Sequence, residues 1–330
     1  MRKKISVVIP CYNEEENVRP IYLAVKDELE KSLPQYQYEI LFIDNKSKDG
    51  TRNIIREICA EDHHVKAIFN MKNFGQFNSP YYGLGQTTGD CAILLCADFQ
   101  DPVDMIPAFV RKWEDGHNVV CAIKTTSKEG KVMYFLRSIY YKLVKKMSSI
   151  EQIEHFTGFG LYDRSFIDVM RGLNDPLPFL RGIVAEFAPD HYDIPYEQQK
   201  RRAGKTHNNW YSLYDAAMLS FTSYTKIGLR LAVFLGGLAG LISILIGFVY
   251  LILKLLMWDR FSAGQAPMMI GIFFIGAVQL FFIGLLGEYI LNINNRIINR
   301  PLVIEQERIN FDERASAQKQ HDNSYEKTIA

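Results

Sequence analysis

Two long apolar stretches near the carboxyl-terminal end constrain this chain more than any other feature of its sequence. Leu229–Met257 and Met268–Ile290 carry few charges, and each is long enough to cross about 30 Å of hydrocarbon. The short segment Trp258–Pro267 separates them, so the sequence predicts a tight transmembrane hairpin. The alternative is a pair of buried core helices, which the length and low charge of both stretches disfavour.

Basic residues around these stretches predict their orientation. Lys226 and Arg230 lie at the start of the first stretch, and Arg296 and Arg300 follow the second. Because cytoplasmic segments carry an excess of lysine and arginine, both chain ends are expected in the cytoplasm. The amino-terminal apolar run Ile5–Ile9 is too short for a signal-peptide core, in agreement with a cytoplasmic amino-terminal domain.

The composition disfavours several other classes of protein. A formal net charge of +1 provides no strongly basic surface, so nucleic acid is not an expected partner. The 5 cysteines include no CxxC pair, which argues against a disulfide scaffold and against a zinc site. Gly83-Leu84-Gly85 lacks the GxGxxG spacing of a dinucleotide-binding turn.

Short apolar runs alternate with amphipathic patterns through the first part of the chain. The predicted strands are Ile5–Ile9, Glu39–Ile43, Lys66–Phe69, Ala92–Leu95 and Val119–Ile123, and the predicted helices are Asn17–Leu33, Thr51–Ala60, Ser79–Gln86 and Asp104–Glu114. Such alternation predicts a parallel, doubly wound α/β sheet with right-handed crossovers. After Lys124 the alternation ends, and we expect an amphipathic helix over Val132–Met147 and then a loop-rich segment that reaches Pro195.

These patterns divide the chain into five parts. Residues 1–208 form a cytoplasmic α/β domain, and residues 209–228 form an amphipathic helix at the membrane interface. The two membrane helices, 229–257 and 268–290, follow. Residues 291–330 form a cytoplasmic tail, which we expect to be disordered from about residue 312 because it is polar and lacks periodicity.

Polar side chains follow the predicted strands, at the edge where sheets of this kind bind ligands. They are Tyr12, Asn13, Glu14, Asp44, Asn45, Asn73, Gln76, Asp98, Gln100 and Asp101. A carboxylate after a strand can hold a divalent cation that neutralises an anionic leaving group, and Asp98 is the strongest candidate. Helix capping is the alternative for Asp101 and Asp104, and likewise for Asp49 and Thr51.

A basic run, Lys200–Lys205, lies with His207 just before the predicted membrane region. Charge runs are usually solvated surface, which is the alternative interpretation here. The position of this run beside the membrane favours a functional role.

In this order, the motifs resemble the family-2 glycosyltransferases and, among them, the polyprenyl-phosphate sugar transferases. The resemblance depends on Val8–Glu15, Phe42–Thr51, Asn73–Gln76, Ala97–Pro102, Phe179–Gly182, Ala203–Thr206 and Asn299–Leu302. It implies a GT-A-like α/β fold, with a doubly wound, mixed and mostly parallel sheet, in a homo-oligomer of the bacterial inner membrane. The implied reaction is inverting transfer of a sugar, expected to be UDP-linked, from a nucleotide diphosphate to a polyprenyl phosphate such as undecaprenyl phosphate.

The resemblance also implies roles for individual residues. Those implied to bind the nucleotide sugar are Pro10, Tyr12, Asn13, Glu14, Ile43, Asp44, Asn45, Asn73, Gln76, Ala97 and Arg137. Those implied to bind Mg²⁺ or Mn²⁺ are Asp98 and Gln100. Those implied to bind the acceptor phosphate are Arg181, Arg201, Lys205 and His207, and the implied catalytic residues are Asp98, Asp101 and Arg201.

Four features depart from the family's usual pattern. Cys96 stands where relatives have an aspartate, and a thiol is a poor ligand for Mg²⁺ or Mn²⁺. Asn45 replaces a second aspartate, and His207 replaces a lysine. Gly158-Phe159-Gly160 replaces an Asp-Phe-Arg sequence, so a proposed catalytic base is absent. A phosphate acceptor tolerates this loss, because its second pKa of about 6 leaves it largely dianionic at neutral pH.

Three other functions fit parts of the sequence. A glycosyltransferase that extends a glycan could use the hairpin as an anchor, although a processive synthase normally needs more membrane helices. A transporter or channel subunit would need polar groups in the membrane, and the two stretches contain a single acidic residue, Glu288. A non-catalytic nucleotide-binding membrane subunit would explain Cys96, Asn45 and Gly158.

Overall fold

The computed structural model describes residues 2–126, 153–173, 175–203, 265–298 and 300–311, together with isolated positions between residues 218 and 256. The chain divides into two compact units. The first, which we call the sheet unit, comprises Met1–Tyr134, Ile153–His207 and Arg300–Ala330. The second, which we call the helical unit, comprises Phe135–Gln152 and Asn208–Asn299.

The sheet unit begins with the predicted alternation of strands and helices. Its elements are β1 (Lys4–Cys11), α1 (Val18–Ser32), β2 (Gln37–Asp44), α2 (Thr51–Glu61), β3 (Val65–Asn70), α3 (Gly75–Gln86), β4 (Cys91–Leu94), a short 3-10 helix (Val103–Met105), α4 (Ile106–Glu114), β5 (Val119–Thr126), β6 (Phe156–Asp163), α5 (Arg164–Gly172), α6 (Leu180–Phe187), β7 (Tyr192–Glu197) and β8 (Glu305–Ile309). The predicted strands and helices up to β5 are confirmed, with boundaries that differ by a few residues.

Within the described residues, the strands form one 8-stranded sheet in the order β7-β5-β6-β4-β1-β2-β3-β8. β1 runs parallel to β2 and β4, β2 to β3, and β5 to β7. β6 is antiparallel to both β4 and β5, and β8 is antiparallel to β3. The predicted mixed, mostly parallel sheet is therefore confirmed. All the parallel strands end at one edge, which we call the carboxyl edge and where ligands bind in open α/β sheets.

The sheet is covered by an apolar core on each face. Alternate residues of β1 enter opposite cores: Val7 and Ile9 pack with the core that contains α1, α2 and α4, and Val8 packs with α3, α5 and α6. Because β1 is apolar on both faces, it lies at the centre of the sheet. This central position places the residues that follow β1 in the middle of the carboxyl edge.

The prediction of a loop-rich segment after Lys124 is wrong for those of its residues that the structure describes. Phe156–Asp163 forms β6 inside the sheet, and Tyr192–Glu197 forms the edge strand β7. Glycine weakens strands and proline is confined to their edges, so Gly158, Gly160 and Pro195 concealed both elements. The structure explains why residue 160 is a glycine: a Cβ atom there would lie 2.2 Å from the carbonyl oxygen of Val120 on β5.

β8 is a strand that the sequence analysis did not predict, because its residues lay in the expected tail. It pairs with β3 so that Ala67 lies opposite Ile309 and Phe69 opposite Glu307. The side-chain nitrogen of Asn310 donates hydrogen bonds to the carbonyl oxygens of Cys59 and Val65, both at 2.8 Å. The chain therefore returns to the sheet unit after its apolar stretches.

The helical unit contains one long apolar helix within the described residues, α7 (Gln265–Ile298). At about 1.5 Å per residue its 34 residues extend about 50 Å. The part from Phe274 to Ile298 is long and apolar enough to cross a membrane. None of its most apolar stretch is buried inside the described structure. The predicted second stretch, Met268–Ile290, lies inside this helix.

Other predicted elements fall largely or wholly outside the described residues. Described positions of the first apolar stretch, including Phe234 and Leu256, are helical and exposed, but most of that stretch is not described. Most of the interfacial helix 209–228, most of the Trp258–Pro267 segment, the Val132–Met147 helix and the tail from residue 312 are also outside.

We predict that Gly160→Ala destabilises the protein by about 3 kcal/mol, because the added methyl group would overlap the β5 backbone. Thermal unfolding of the detergent-purified protein measures this effect. The matched control is Gly172→Ala at the end of α5, where an added Cβ atom would meet no other atom within 4 Å. Equal melting temperatures for the two variants would contradict the close approach of β5 and β6.

Candidate active site

The loops that follow β1 and β2 hold each other at the carboxyl edge. The Asn13 backbone N–H donates to Ser47 Oγ at 2.9 Å, and the Lys48 backbone N–H donates to Asn13 Oδ1 at 2.8 Å. Asn13 and Lys46 have φ values of 55° and 67°, in the left-handed region that non-glycine residues adopt only when contacts hold them there. These reciprocal bonds keep Tyr12 and Asn13, which are half-buried, in one conformation.

Asp44, the last residue of β2, holds the backbone of the loop that follows β2. Its carboxylate accepts hydrogen bonds from the backbone N–H groups of Lys46 at 3.1 Å and Ser47 at 3.2 Å, and from Arg52 Nε at 2.5 Å. The side chains of Asp44 and Ile43 are 0% exposed, and that of Ala97 is also buried. These three side chains therefore lie beneath the surface of the loops, and their predicted part in binding a nucleotide sugar stays a prediction.

Asn45 connects the loop after β2 with the loop after β3. Its side-chain nitrogen donates to Asn73 Oδ1 at 2.9 Å and to the Gly75 carbonyl at 3.1 Å, and its oxygen accepts from the Phe74 N–H at 2.8 Å. An aspartate could not donate the first two bonds, which fits the departure from the family pattern. Asn73 and Gln76 are exposed beside it and remain available to a ligand.

Arg201 brings together loops from three strands. Its Nη2 forms an ion pair with Glu14, and its Nε lies 3.8 Å from Asp98 Oδ2. The following residue, Arg202, donates its backbone N–H to the Asp98 carbonyl at 3.2 Å. Burial raises the pKa of Glu14, and the hydrogen bond from Asn17 at 2.7 Å and the charge of Arg201 oppose that rise. The basic run lies beside the predicted membrane region in the sequence, and in the structure its Arg201 also contacts the acidic groups at the carboxyl edge of the sheet.

Asp101 is a buried carboxyl group beneath this cluster. Its two oxygens accept hydrogen bonds from the Cys96 backbone N–H and the Tyr196 hydroxyl, both at 3.2 Å. Burial raises the pKa of Asp101 to about 6, and Asp98 adds to the rise while the hydrogen bonds oppose it. Tyr196 was not predicted as a site residue, because its strand, β7, was not recognised in the sequence.

The capping alternatives have different outcomes. Neither the 3-10 helix nor α4 has a side-chain cap, so capping by Asp101 or Asp104 is wrong. Asp49 Oδ1, by contrast, accepts a hydrogen bond at 3.1 Å from the N–H of Thr51, the first residue of α2. Asp49 thus accepts a bond from the first N–H of α2, but the N-cap of α2 is Gly50, which has no side-chain cap.

Cys96 occupies the position where an aspartate was expected. Its side chain reaches solvent, yet the surrounding protein desolvates the thiol. This desolvation, together with the charges of Asp101 and Asp98, raises the pKa of Cys96 well above its ordinary value. The thiol is therefore protonated at neutral pH, and only a thiolate is an effective metal ligand.

The remaining predicted residues have mixed outcomes. Arg181, at the start of α6, donates to the Phe156 carbonyl at 3.5 Å and lies over the Phe179 ring. Phe156 begins β6, whose antiparallel direction places its start at the carboxyl edge. Pro10 and Gln100 are half-buried at this edge. The predicted residues outside the described part of the chain are Arg137, Lys205 and His207.

Two supporting residues, besides Tyr196, were missed in the sequence. Asn17 donates to Glu14 at 2.7 Å and to the Ala203 carbonyl at 3.3 Å. Its position at the N-cap of α1 was a usable signal, because asparagine is favoured there, and Glu14 lies in the turn just before the helix. Phe99, with a φ of 60°, lies under the Arg202 guanidinium, whose carbon is 5.1 Å from the ring centre.

The mixed, mostly parallel sheet is GT-A-like, and a carboxylate–arginine cluster lies at its carboxyl edge. The family model described as Glycosyl transferase family 2 matches residues 6–170. The chain belongs to this family and is a glycosyltransferase, which confirms the resemblance seen in the sequence.

Individual relatives agree with this membership. The chain is 33% identical over 299 residues to the bactoprenol glucosyl transferase of Shigella phage SfX, covering 90% of this chain and 97% of that protein. It is 31% identical over 288 residues to the prophage bactoprenol glucosyl transferase homolog of Escherichia coli K12, covering 87% and 93%. A crystal structure of glucosyl-3-phosphoglycerate synthase from Mycobacterium tuberculosis with UDP is similar with a TM-score of 0.45 and 16% identity, over 67% of this chain and 79% of that one.

We predict that Asp101 makes folding stability pH-dependent when metal is removed with EDTA. Its pKa in the folded protein, about 6, lies above the ordinary aspartate value, so its stabilising contribution is complete below about pH 4 and is lost as the pH rises through 6. Asp101→Asn should remove a decrease of about 2 kcal/mol between pH 4 and 7.

Denaturant unfolding at a series of pH values, in detergent, measures this difference. The exposed neighbour Asp104 provides the matched control, and Asp104→Asn should leave the wild-type pH dependence intact. Identical pH dependence in wild type and Asp101→Asn would contradict the assignment.

Proposed function

We propose that this glycosyltransferase moves a sugar, with inversion, from a UDP-linked donor to a polyprenyl phosphate at the cytoplasmic face of a bacterial membrane. The observation that carries the proposal is the contact of Arg201 with both Glu14 and Asp98 at the carboxyl edge. The bactoprenol glucosyl transferases that resemble the chain over about nine-tenths of its length support the polyprenyl acceptor.

Donor recognition falls to the loops after β1, β2 and β3. Tyr12 is half-buried and offers an aromatic ring for stacking on a nucleobase. Asn73 and Gln76 are exposed amides that can donate and accept hydrogen bonds. The mutual hydrogen bonds of these loops hold such groups in place before the donor arrives, which lowers the entropy lost on binding.

Asp98 and Gln100 are the residues proposed to hold Mg²⁺ or Mn²⁺. Asp98 Oδ1 accepts a hydrogen bond from the Gln100 N–H at 3.1 Å, and its Oδ2 faces the Arg201 guanidinium at 3.8 Å. A carboxylate oxygen of Asp98 and the side-chain amide oxygen of Gln100 are the hard ligands that such an ion prefers. When bound together with a diphosphate, the ion would neutralise charge on the leaving group.

Arg201 is proposed to bring the acceptor phosphate to the donor. A dianionic acceptor and a nucleotide diphosphate repel each other strongly in a partly desolvated cleft, so cations must lie between them. Arg201 reaches the acidic end of the sheet, and Arg181 lies at the same edge. Lys205, His207 and Arg137 are further candidates from the sequence alone. A phosphate dianion can attack without a base, consistent with Gly158 at the position of the missing carboxylate.

The membrane anchor proposed for this enzyme is the two-helix hairpin expected from the sequence. α7 supports its second helix, because the described helix is long, apolar and unburied. Both chain ends are proposed to face the cytoplasm, where nucleotide sugars are made. A homo-oligomer is proposed on the family resemblance alone.

Arg201→Ala tests the mechanism. We expect transfer to undecaprenyl phosphate to fall at least about a hundredfold, whereas hydrolysis of the nucleotide sugar falls less than about tenfold, because water suffers no charge repulsion. Both rates are measured with labelled nucleotide sugars at fixed Mn²⁺, using protein purified in detergent.

Arg202→Ala is the matched control, since Arg202 is exposed and contacts Asp98 only through its backbone in the described hydrogen bonds. Asp98→Ala serves as the inactive reference. Equal losses of transfer and hydrolysis in Arg201→Ala would restrict Arg201 to the donor diphosphate. Failure of the wild type to glycosylate undecaprenyl phosphate with any nucleotide sugar would refute the proposed acceptor.

Cys96→Asp tests the metal site. A carboxylate in place of the protonated thiol should tighten Mn²⁺ binding about tenfold, because hard cations prefer oxygen ligands. Electron paramagnetic resonance of free Mn²⁺ measures the affinity, and Cys96→Ser is the uncharged control. Unchanged or weaker binding in Cys96→Asp would mean that position 96 does not face the metal.

A further inference from the structure

Gln306, on the strand that follows the apolar helix, reaches the loop after β2. Its side-chain oxygen accepts hydrogen bonds from Lys46 Nζ at 3.0 Å and from Arg52 Nη1 at 3.1 Å. β8 pairs only with β3 in the described sheet, so β2 is not its backbone neighbour. The contact with the loop is therefore made by this side chain, and backbone pairing alone does not produce it.

Arg52 distributes its guanidinium nitrogens among the ends of three strands. Nε contacts Asp44 Oδ2 at 2.5 Å, Nη2 donates to the Asn70 carbonyl at 2.6 Å, and Nη1 donates to Gln306. The side chains of Arg52 and Asp44 are 13% and 0% exposed, so this pair is shielded from water. A charge-assisted bond in such surroundings is stronger and more directional than one at the surface. The ends of β2, β3 and β8 are thus joined through one side chain.

The same contacts extend to the residues that face the donor. Asp44 accepts from the Lys46 and Ser47 backbones, and Ser47 Oγ accepts from the Asn13 N–H. Lys46 has a left-handed backbone, which costs about 1 kcal/mol for a residue with a side chain, so outside contacts must maintain it. Gln306 supplies one of these contacts by holding the Lys46 ammonium group.

The charges of Lys46 and Arg52 explain why a hydrogen-bond acceptor is needed between them. The Lys46 ammonium group and the Arg52 guanidinium group are two cations that meet at the Gln306 side-chain oxygen, and the buried carboxylate of Asp44 pairs with Arg52. An amide oxygen placed between the two cations accepts from both and reduces their mutual repulsion. Without it, the Lys46 side chain loses this contact, and the left-handed turn is held by the Asp44 carboxylate and the other hydrogen bonds of the loop alone.

We propose that Gln306 is a positioning residue for the donor site, so that the strand beyond the apolar helix forms part of the nucleotide-binding machinery. This inference rests on the proposed function, because the ligand of these loops is taken to be a nucleoside diphosphate. Gln306 acts through Lys46 and Arg52, and it contacts no reacting atom.

The test measures nucleotide affinity and turnover in the full-length protein in detergent. Isothermal titration with UDP and with GDP, each with Mn²⁺, identifies the nucleotide that the wild type binds. Gln306→Ala should bind it about fivefold more weakly, as expected for loss of an accepted hydrogen bond from charged donors. The KM for the nucleotide sugar should rise by the same factor while kcat stays within about twofold.

Two further variants separate positioning from general stability. Gln306→Glu keeps an acceptor between the two cations and should restore wild-type affinity. Glu307→Gln is the control on the same strand: it removes the 2.7 Å ion pair with Arg56 and a longer-range attraction to Arg52 but leaves both hydrogen bonds of the Gln306 side chain in place, so nucleotide affinity should fall much less than in Gln306→Ala.

The possible failures are distinguishable. Equal affinity in wild type and Gln306→Ala would overturn this inference and leave the proposed function standing. Equal losses in Gln306→Ala and Glu307→Gln would also overturn it, because they would show that β8 only anchors the sheet. A wild type that binds neither nucleotide would overturn the proposed function together with this inference.

Discussion

The ion pair between Arg52 and the completely buried Asp44 is the interaction on which the geometry of the site depends. A buried carboxylate is tolerable only when it is paired and hydrogen-bonded, and Asp44 meets this condition with Arg52 and two backbone N–H groups. Those N–H groups belong to the loop after β2, which in turn holds the loop after β1 through Asn13. One buried charge therefore fixes the conformation of the central part of the carboxyl edge.

At the carboxyl edge, acidic side chains lie close to a basic one. Glu14 and Asp98 approach Arg201, while Asp101 lies buried beneath them with a pKa raised by burial. Because Arg201 contacts two carboxylates here, a bound diphosphate or phosphate would compete with Glu14 and Asp98 for the same guanidinium. Such competition suits the role proposed for Arg201, which is to hold an anionic acceptor and then release an anionic product.

Sequence reasoning failed where local signals contradicted the tertiary context. Gly158 and Gly160 disfavour a strand by propensity, yet β6 lies between β4 and β5, where Gly160 permits the close approach of Val120. Pro195 is tolerated in β7 because β7 is an edge strand. Glu305–Ile309 is short and rich in charged residues, so its pattern resembled that of a solvated tail. It forms a strand because its backbone pairs with β3.

The sequence by itself determined the family, the strand–helix alternation up to β5 and the apolar helix α7, because motifs and periodic patterns are local properties of a chain. It also named most of the residues that meet at the carboxyl edge, since parallel strands end together. Only the tertiary structure decided that the side chains of Asp44 and Ile43 are buried beneath the site. It also decided that Arg201 pairs with Glu14 and that Gln306 contacts the loop after β2. Arg201 and Glu14 are 187 positions apart and Gln306 and Lys46 are 260 apart, and contacts over such separations depend on how the whole sheet is assembled, which no local pattern records.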